Sequence, residues 1–134
     1  MAGSKSNYLE NKVLNHLLGS VTYSAPATLY LALFTAAPTD AGGGTEVTGG
    51  SYARVAVENN TTNFPTVTNG VKTNGAQITF PQATASWLTV VAVGLFDAAT
   101  NGNLLYWADL STSKAVATDD IVVFDIDSLT FTED

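Results

Sequence analysis

The chain contains no cysteine, only one histidine and only one methionine. The absence of cysteine excludes disulfide bonds, thiolate metal sites and cysteine nucleophiles. The one histidine, His16, lies among leucines, and no G-x-S-x-G motif accompanies it, so no serine–histidine–aspartate triad is indicated. We therefore predict that the protein is not an enzyme and has no catalytic residue, cofactor or bound metal.

Charged residues are also scarce, at 13% of the chain, which is about half of the usual ~25%. The five basic residues are scattered along a chain of net charge −7. Nucleic acids and anionic membrane surfaces require clustered basic side chains, so neither is a predicted partner. No apolar run approaches the ~20 residues of a membrane span. The N-terminus lacks the hydrophobic segment of a signal peptide, which predicts synthesis in the cytoplasm.

Hydrophobic residues, in contrast, make up 46% of the 134 residues. This length and composition predict a single domain, residues 1–134, with one buried core. A monomer with so few charges is short of the groups that keep an isolated protein soluble. The composition therefore favours a subunit whose faces are covered by neighbours over the alternative of an isolated enzyme.

The N-terminal region predicts one amphipathic helix, over about residues 6–18. Ser6, or Asn7 together with Glu10, would cap its start, and Gly19 would end it. The apolar face would pack either on the domain itself or on a neighbouring subunit. The residues at helical spacing are Leu9, Val13, Leu14, Leu17 and Leu18.

From about residue 27 to residue 132 the pattern is that of seven or eight short strands separated by turn signals. Residues 88–96 are the most strongly β-branched run and predict a central strand. Three Asn-Gly pairs, which are strong hairpin signals, lie at 69–70, 74–75 and 101–102. The sequence thus predicts a mainly β fold, an antiparallel β-sandwich that is jelly-roll-like, with one N-terminal α-helix.

A long glycine-rich loop, residues 38–50, separates two of these strands. It holds five glycines and two acids but lacks the lysine of a phosphate-binding loop. A long loop without reactive side chains indicates a contact surface, which we expect a neighbouring subunit to order. Arg54, just beyond the loop, would pair with a carboxylate either within the fold or across an interface.

The acidic residues leave two alternatives open. Asp125 and Asp127 flank Ile126 on a predicted strand, where both would point to one face and either hold a cation or keep that face soluble. Asp97 and Asp109 could form a pair of glycosidase carboxylates, although Trp87 and Trp107 are more typical of core positions than of a sugar cleft. Neither alternative is preferred over a binding role.

Several blocks of the sequence resemble a known family. They are SNYLENKVLNHLLG, APATLYLALFTAAPTD, GTEVTGGSYARVAV, VGLFDAATNGNLLYWADL and SLTFTED. Together they are similar to small virion proteins of tailed bacteriophages, described as tail-fibre-like, some of whose relatives are capsid cement or decoration proteins. The resemblance extends from Ser6 to Asp134 and implies a structural virion protein made in the host cytoplasm.

Within that family we expect a head decoration or cement protein on the capsid exterior. It would bind the major capsid protein, assemble as a dimer or trimer, and stabilise the shell through many repeated contacts. The alternative is a tail-fibre or tail-associated protein for host attachment, which is less favoured because the chain has no rod-like repeats. The residues expected at the interface are Leu9, Val13, His16, Leu17, Pro38, Thr39, Asp40, Gly43, Glu46, Tyr52, Arg54 and Phe64.

Overall fold

The computed structural model describes residues 2–133, which form one α-helix and ten β-strands. The helix is α1 (Asn7–Leu17). The strands are β1 (Ala2–Lys5), β2 (Thr28–Ala36), β3 (Thr45–Glu46), β4 (Val55–Glu58), β5 (Val71–Thr73), β6 (Ile78–Thr79), β7 (Leu88–Phe96), β8 (Leu104–Val116), β9 (Val123–Phe124) and β10 (Thr130–Thr132).

Eight strands belong to one sheet, in the order β3-β2-β7-β8-β1-β10-β5, with β4 also paired to β2. Strands β6 and β9 form a separate two-stranded sheet. Every described pairing is antiparallel except that of β1 with β10. The predicted mainly β, antiparallel fold with one helix is confirmed, and the arrangement is consistent with a sandwich.

The two central strands, β2 and β7, are buried on both faces along their middle sections. Residues 31–34 of β2 pair with residues 92–95 of β7, and all eight residues are buried. Such continuous burial is typical of strands covered on both sides. At Gly94 an added Cβ would lie 2.8 Å from the ring of Phe34, so any larger residue would require that ring to shift. The prediction that residues 88–96 form a central strand is confirmed.

The helix begins at the predicted alternative cap, Ser6. Its Oγ accepts a hydrogen bond from Leu9 N at 3.2 Å and donates to the carbonyl of Leu104 in β8. Leu9 is the one buried residue of the helix, and Gly19 follows the helix end with a φ of +123°. The helix is thus fixed to its own domain by its first turn and is slightly shorter than predicted.

Only one of the three Asn-Gly pairs makes the hairpin that the sequence suggests. Asn101-Gly102 joins β7 to β8, whereas β5, between the other two pairs, is paired with the distant strand β10. Asn74 is buried, and its amide donates to Ala76 O at 2.9 Å and Asp125 O at 2.8 Å. Its Oδ1 also accepts from Leu129 N at 2.9 Å. An asparagine side chain can satisfy three backbone groups in this way, so the second pair links two segments instead of closing a hairpin.

The C-terminal third departs most from the prediction. The strand predicted to hold Asp125, Ile126 and Asp127 is wrong, because residues 126–127 form a turn in which Asp127 has a φ of +66°. Asp125 accepts a hydrogen bond from Gln77 and Asp127 accepts one from Thr73, so these acids stabilise turns and do not share a strand face. The four-residue strand β1 was not predicted at all; its backbone bridges β8 and β10.

Candidate assembly surface

At the exit of the glycine-rich loop, Arg54 binds several groups of its own chain, and we call this arrangement the internal clamp. The Arg54 guanidinium binds both carboxylate oxygens of Glu46, with Nε–Oε2 at 2.9 Å and Nη2–Oε1 at 2.8 Å. Nη1 donates to the carbonyls of Ala98 at 2.8 Å and Asn101 at 2.9 Å, and the group lies 3.7 Å from the centre of the Phe96 ring. With only 8% of its side chain exposed, Arg54 is engaged within its own chain.

Tyr52 completes this clamp. Its hydroxyl donates to Glu46 Oε2 at 2.6 Å and accepts from Leu33 N at 3.0 Å. Burial, followed by the hydrogen bond to Glu46, raises the pKa of Tyr52 far above its ordinary value. Burial alone would raise the pKa of Glu46, but the hydrogen bonds from Arg54 and Tyr52 outweigh it and hold that pKa below its ordinary value. The clamp therefore keeps Glu46 ionised and Tyr52 protonated.

Gly50 fits the same block of sequence against Trp87. Its carbonyl accepts from Trp87 Nε1 at 2.9 Å, and the ring of Trp87 packs edge-on to Tyr52, with centroids 5.4 Å apart. The φ of Gly50 is +56°, and an added Cβ would lie 2.8 Å from Ala85 O and from Trp87 Nε1. The GTEVTGGSYAR block thus encodes an intramolecular arrangement of a salt bridge, a tyrosine and a glycine–tryptophan contact.

The first half of the loop is held by Asp40. Its Oδ1 accepts from Trp107 Nε1 at 2.8 Å and from Ser4 Oγ at 3.1 Å. Its backbone carbonyl accepts from Asn7 N, at the start of the helix, at 2.8 Å. Pro38 is fully buried beside it. Contacts within the chain therefore position this loop, whereas we expected a neighbouring subunit to do so.

The helix end exposes a group of large aliphatic side chains. Leu17 and Leu18 are 71% and 75% exposed. Next to them, His16 Nδ1 accepts a hydrogen bond from Tyr23 N at 3.3 Å, which holds the segment that follows the helix. We call these exposed aliphatic residues the helix-end patch; its members are Leu14, Leu17, Leu18 and Val21.

A second feature is a cleft of about 510 Å³. Phe64 and Tyr106 pack edge-on against Phe131 there, with centroids 6.2 Å and 5.3 Å away. Burial and the nearby charge of Glu133 raise the pKa of Tyr106. Lys72 Nζ, which also lines the cleft, donates to the carbonyls of Phe64 and Pro65 at 3.2 Å and 3.0 Å. The described structure gives this cleft a largely apolar wall but no charged group that is free of internal partners.

The residues predicted for an interface divide by burial. The exposed ones are His16, Leu17, Thr39 and Gly43. The half-buried ones are Val13, Asp40, Glu46, Tyr52 and Arg54. The buried ones are Leu9, Pro38 and Phe64. The structure brings Glu46, Tyr52 and Arg54 together, while Phe64 lies in the separate cleft. Contact of any of the twelve with a partner stays a prediction.

Three members of the helix-end patch were missing from that prediction: Leu14, Leu18 and Val21. The helical spacing of the leucines did mark two of them, but the same spacing suits a buried face equally well. Val21 lies beyond the helix, so periodicity gave no signal for it.

Within residues 2–133, no three histidine or acidic side chains lie close enough together to hold a metal ion. The helix in this part of the chain is too short and too polar to cross a membrane.

Comparison with known proteins identifies a family. Residues 4–132 match the model of the family described as podophage GP4 fiber I protein gp80. No curated protein matches the chain. Together with the mainly β fold, this match defines a structural virion protein of a tailed phage, of the tail-fibre-like class. The chain belongs to the podophage GP4 fiber I protein gp80 family. This confirms the predicted family, and it favours the tail-fibre alternative over head decoration.

Proposed function

We propose that this protein is a structural component of the phage tail fibre, and that it acts by binding and not by catalysis. The observation that carries the proposal is the family match over residues 4–132, whose description names a fibre protein. The internal clamp is compatible with this role, because its charged side chains, Arg54 and Glu46, bind groups of their own chain and are not available for catalysis.

The helix-end patch is the proposed attachment surface. Fully burying a leucine side chain stabilises an interface by roughly 1.5–3 kcal/mol, so covering this partly exposed group would contribute on the order of 5 kcal/mol before the cost of association. The N-terminal turn of the helix is fixed to β8 through Ser6, and the bond from Tyr23 N to His16 Nδ1 holds the segment that follows the helix. A partner would therefore meet a preorganised surface, which reduces the entropic cost of binding.

Head decoration is the competing proposal, with attachment through the same helix-end patch. In that role the partner would be the major capsid protein, and the protein would form dimers or trimers on the capsid exterior. The feature that favours it is the absence of any rod-like repeat in the sequence. A compact domain can also occur as a module attached to a longer fibre, so this feature discriminates less than the family match does.

Electron microscopy of virions labelled with an antibody to the protein tests the placement. Label confined to the tail supports the proposal, whereas label distributed over the head would overturn it.

A pair of variants tests the attachment surface. Leu17→Glu should prevent incorporation into the virion without unfolding the domain, because Leu17 is 71% exposed. Ile126→Glu is the matched control, since it places the same charge on an aliphatic residue that is 58% exposed but lies outside the patch. Equal incorporation of both variants would contradict the role given to the patch.

A further inference from the structure

The three Asn-Gly pairs have the same local sequence but different surroundings. In such a pair the glycine nitrogen can attack the asparagine side-chain carbonyl carbon, because glycine has no side chain to hinder the approach. The attack forms the new C–N bond of a succinimide ring as the bond from Cγ to Nδ2 breaks and ammonia leaves. Water then opens the ring at either carbonyl and yields isoaspartate or aspartate. The reaction needs no oxidant, reductant or enzyme, only solvent water.

In the Asn74-Gly75 pair, both reacting groups are held in place, the asparagine side chain and the glycine nitrogen. Asn74 Oδ1 and Nδ2 are held by three backbone groups at 2.8–2.9 Å, and the residue is 1% exposed. The attacking nitrogen, that of Gly75, itself donates to Asn63 O at 2.7 Å. Reaction here requires local unfolding, which makes it rare.

Asn101 is exposed but fixed. Its φ is +54° and that of Gly102 is +73°, the left-handed pair of a tight hairpin turn. Arg54 Nη1 binds the Asn101 carbonyl at 2.9 Å, and Asp97 Oδ1 accepts from Asn103 N at 2.7 Å on the other side of the turn. The backbone rotation that would bring Gly102 N onto the Asn101 side chain breaks these bonds.

Asn69 lacks the burial of Asn74. The bond that ties its turn to the sheet, from Glu133 N to Gly70 O at 2.8 Å, involves the peptide after the attacking nitrogen and not that nitrogen. Asn69 and Gly70 are exposed. Asn69 Oδ1 accepts a hydrogen bond from Val71 N at 3.3 Å, which folds the side chain forward over the intervening Gly70 peptide. The same bond polarises the carbonyl that is attacked. In the native fold this bond holds the Asn69 side chain next to the peptide that contains the attacking nitrogen.

We propose that Asn69 is a site of spontaneous conversion to isoaspartate and aspartate, and that folding confines the reaction to this one of the three Asn-Gly pairs. Each conversion adds a negative charge at the edge of the cleft, which Gly70 and Glu133 both line. Isoaspartate also adds a backbone atom directly before β5, beside the 2.8 Å bond from Glu133 N to Gly70 O. The modification would therefore loosen the edge of the sheet formed by β5 and β10.

Peptide mapping by mass spectrometry after incubation at mildly alkaline pH tests the proposal. The incubation is done in water enriched in heavy oxygen, so that conversion during later digestion is not counted. In the folded protein, conversion at Asn69 should be at least about tenfold faster than at Asn74 or Asn101, because those two sites react only after local opening. In guanidinium chloride all three sites should react at similar rates, since each precedes a glycine.

Asn69→Gln serves as the matched variant, because glutamine keeps the amide but cannot close the same ring. It should abolish the converted peptide at this site and leave the other two sites unchanged. Folded protein in which Asn74 or Asn101 converts as fast as Asn69 would overturn the proposal. The proposal would also be overturned if Asn69 converts in the unfolded protein but not in the folded protein.

Discussion

Removing the Arg54 guanidinium tests the internal clamp most severely. Arg54→Ala deletes a bidentate salt bridge, two hydrogen bonds to backbone carbonyls and the contact with Phe96. The pair is shielded from water, with side-chain exposures of 8% for Arg54 and 24% for Glu46. Removing one partner of a shielded pair costs about 3–5 kcal/mol, because the remaining charge stays without compensation. We expect a loss of about that size in the free energy of unfolding.

Urea unfolding followed by tryptophan fluorescence measures this loss, because Trp87 packs against the clamp residue Tyr52. A cost of 3–5 kcal/mol corresponds to roughly a fifth or more of the total stability of a typical domain. The double variant Arg54→Met with Glu46→Gln removes both charges together. It should cost less than Arg54→Ala, because no unpaired carboxylate remains.

The control for this experiment is Lys114→Ala, which removes a positive charge from an exposed position in β8. It should change stability by no more than about 0.5 kcal/mol. If Arg54→Ala costs less than about 1 kcal/mol, the pair behaves as an ordinary surface salt bridge and the reasoning is refuted.

Three further predictions concern Glu46, Asn74 and Leu88. Because the pKa of Glu46 is lowered in the folded state, its stabilising contribution is present above the ordinary glutamate pKa of about 4.3 and is lost as the pH falls through the lower folded value. Urea unfolding at a series of pH values should show that Glu46→Gln loses much of this acid sensitivity. Equal acid sensitivity of the two proteins would contradict the prediction. Asn74→Ala should cost about 2–4 kcal/mol in the same assay, since it leaves one buried and two part-buried backbone groups without their partner. A cost below about 1 kcal/mol would show that water replaces the amide. Leu88 has a φ of +64°, a backbone conformation that asparagine adopts more readily than leucine, and it is 69% exposed. Leu88→Asn should therefore raise the free energy of unfolding by up to about 1 kcal/mol. A loss of stability would contradict this, because it would mean that the Leu88 side chain makes stabilising contacts despite its exposure.

Elements whose residues carry a local pattern could be predicted from the sequence. The spacing of leucines located the helix, and Ser6 was recognised as one of its two candidate caps. The β-branched run 88–96 located the central strand, because a strand covered on both faces needs apolar residues at every position. Strand β1 has the sequence AGSK, which carries no apolar alternation, so periodicity gave no signal for it.

Interactions between distant residues were harder to predict. The Asn74-Gly75 pair signals a hairpin locally, but the partners of Asn74 include residues 51 and 55 positions away. The clamp was foreseen in part, since Arg54 was expected to bind a carboxylate within the fold or across an interface; the structure shows that Glu46 of the same chain is that partner. Periodicity could not tell which leucines of the helix face water, because a buried stripe and a docking stripe have the same spacing.

The central claim is that this family member is a component of the phage tail. Quantitative mass spectrometry of separated heads and tails tests it most directly, because a decoration protein is present in many copies over the shell. We predict that the protein is recovered with purified tails and is absent from purified heads without tails. Its recovery in hundreds of copies from such heads would contradict the claim and restore head decoration as the better interpretation.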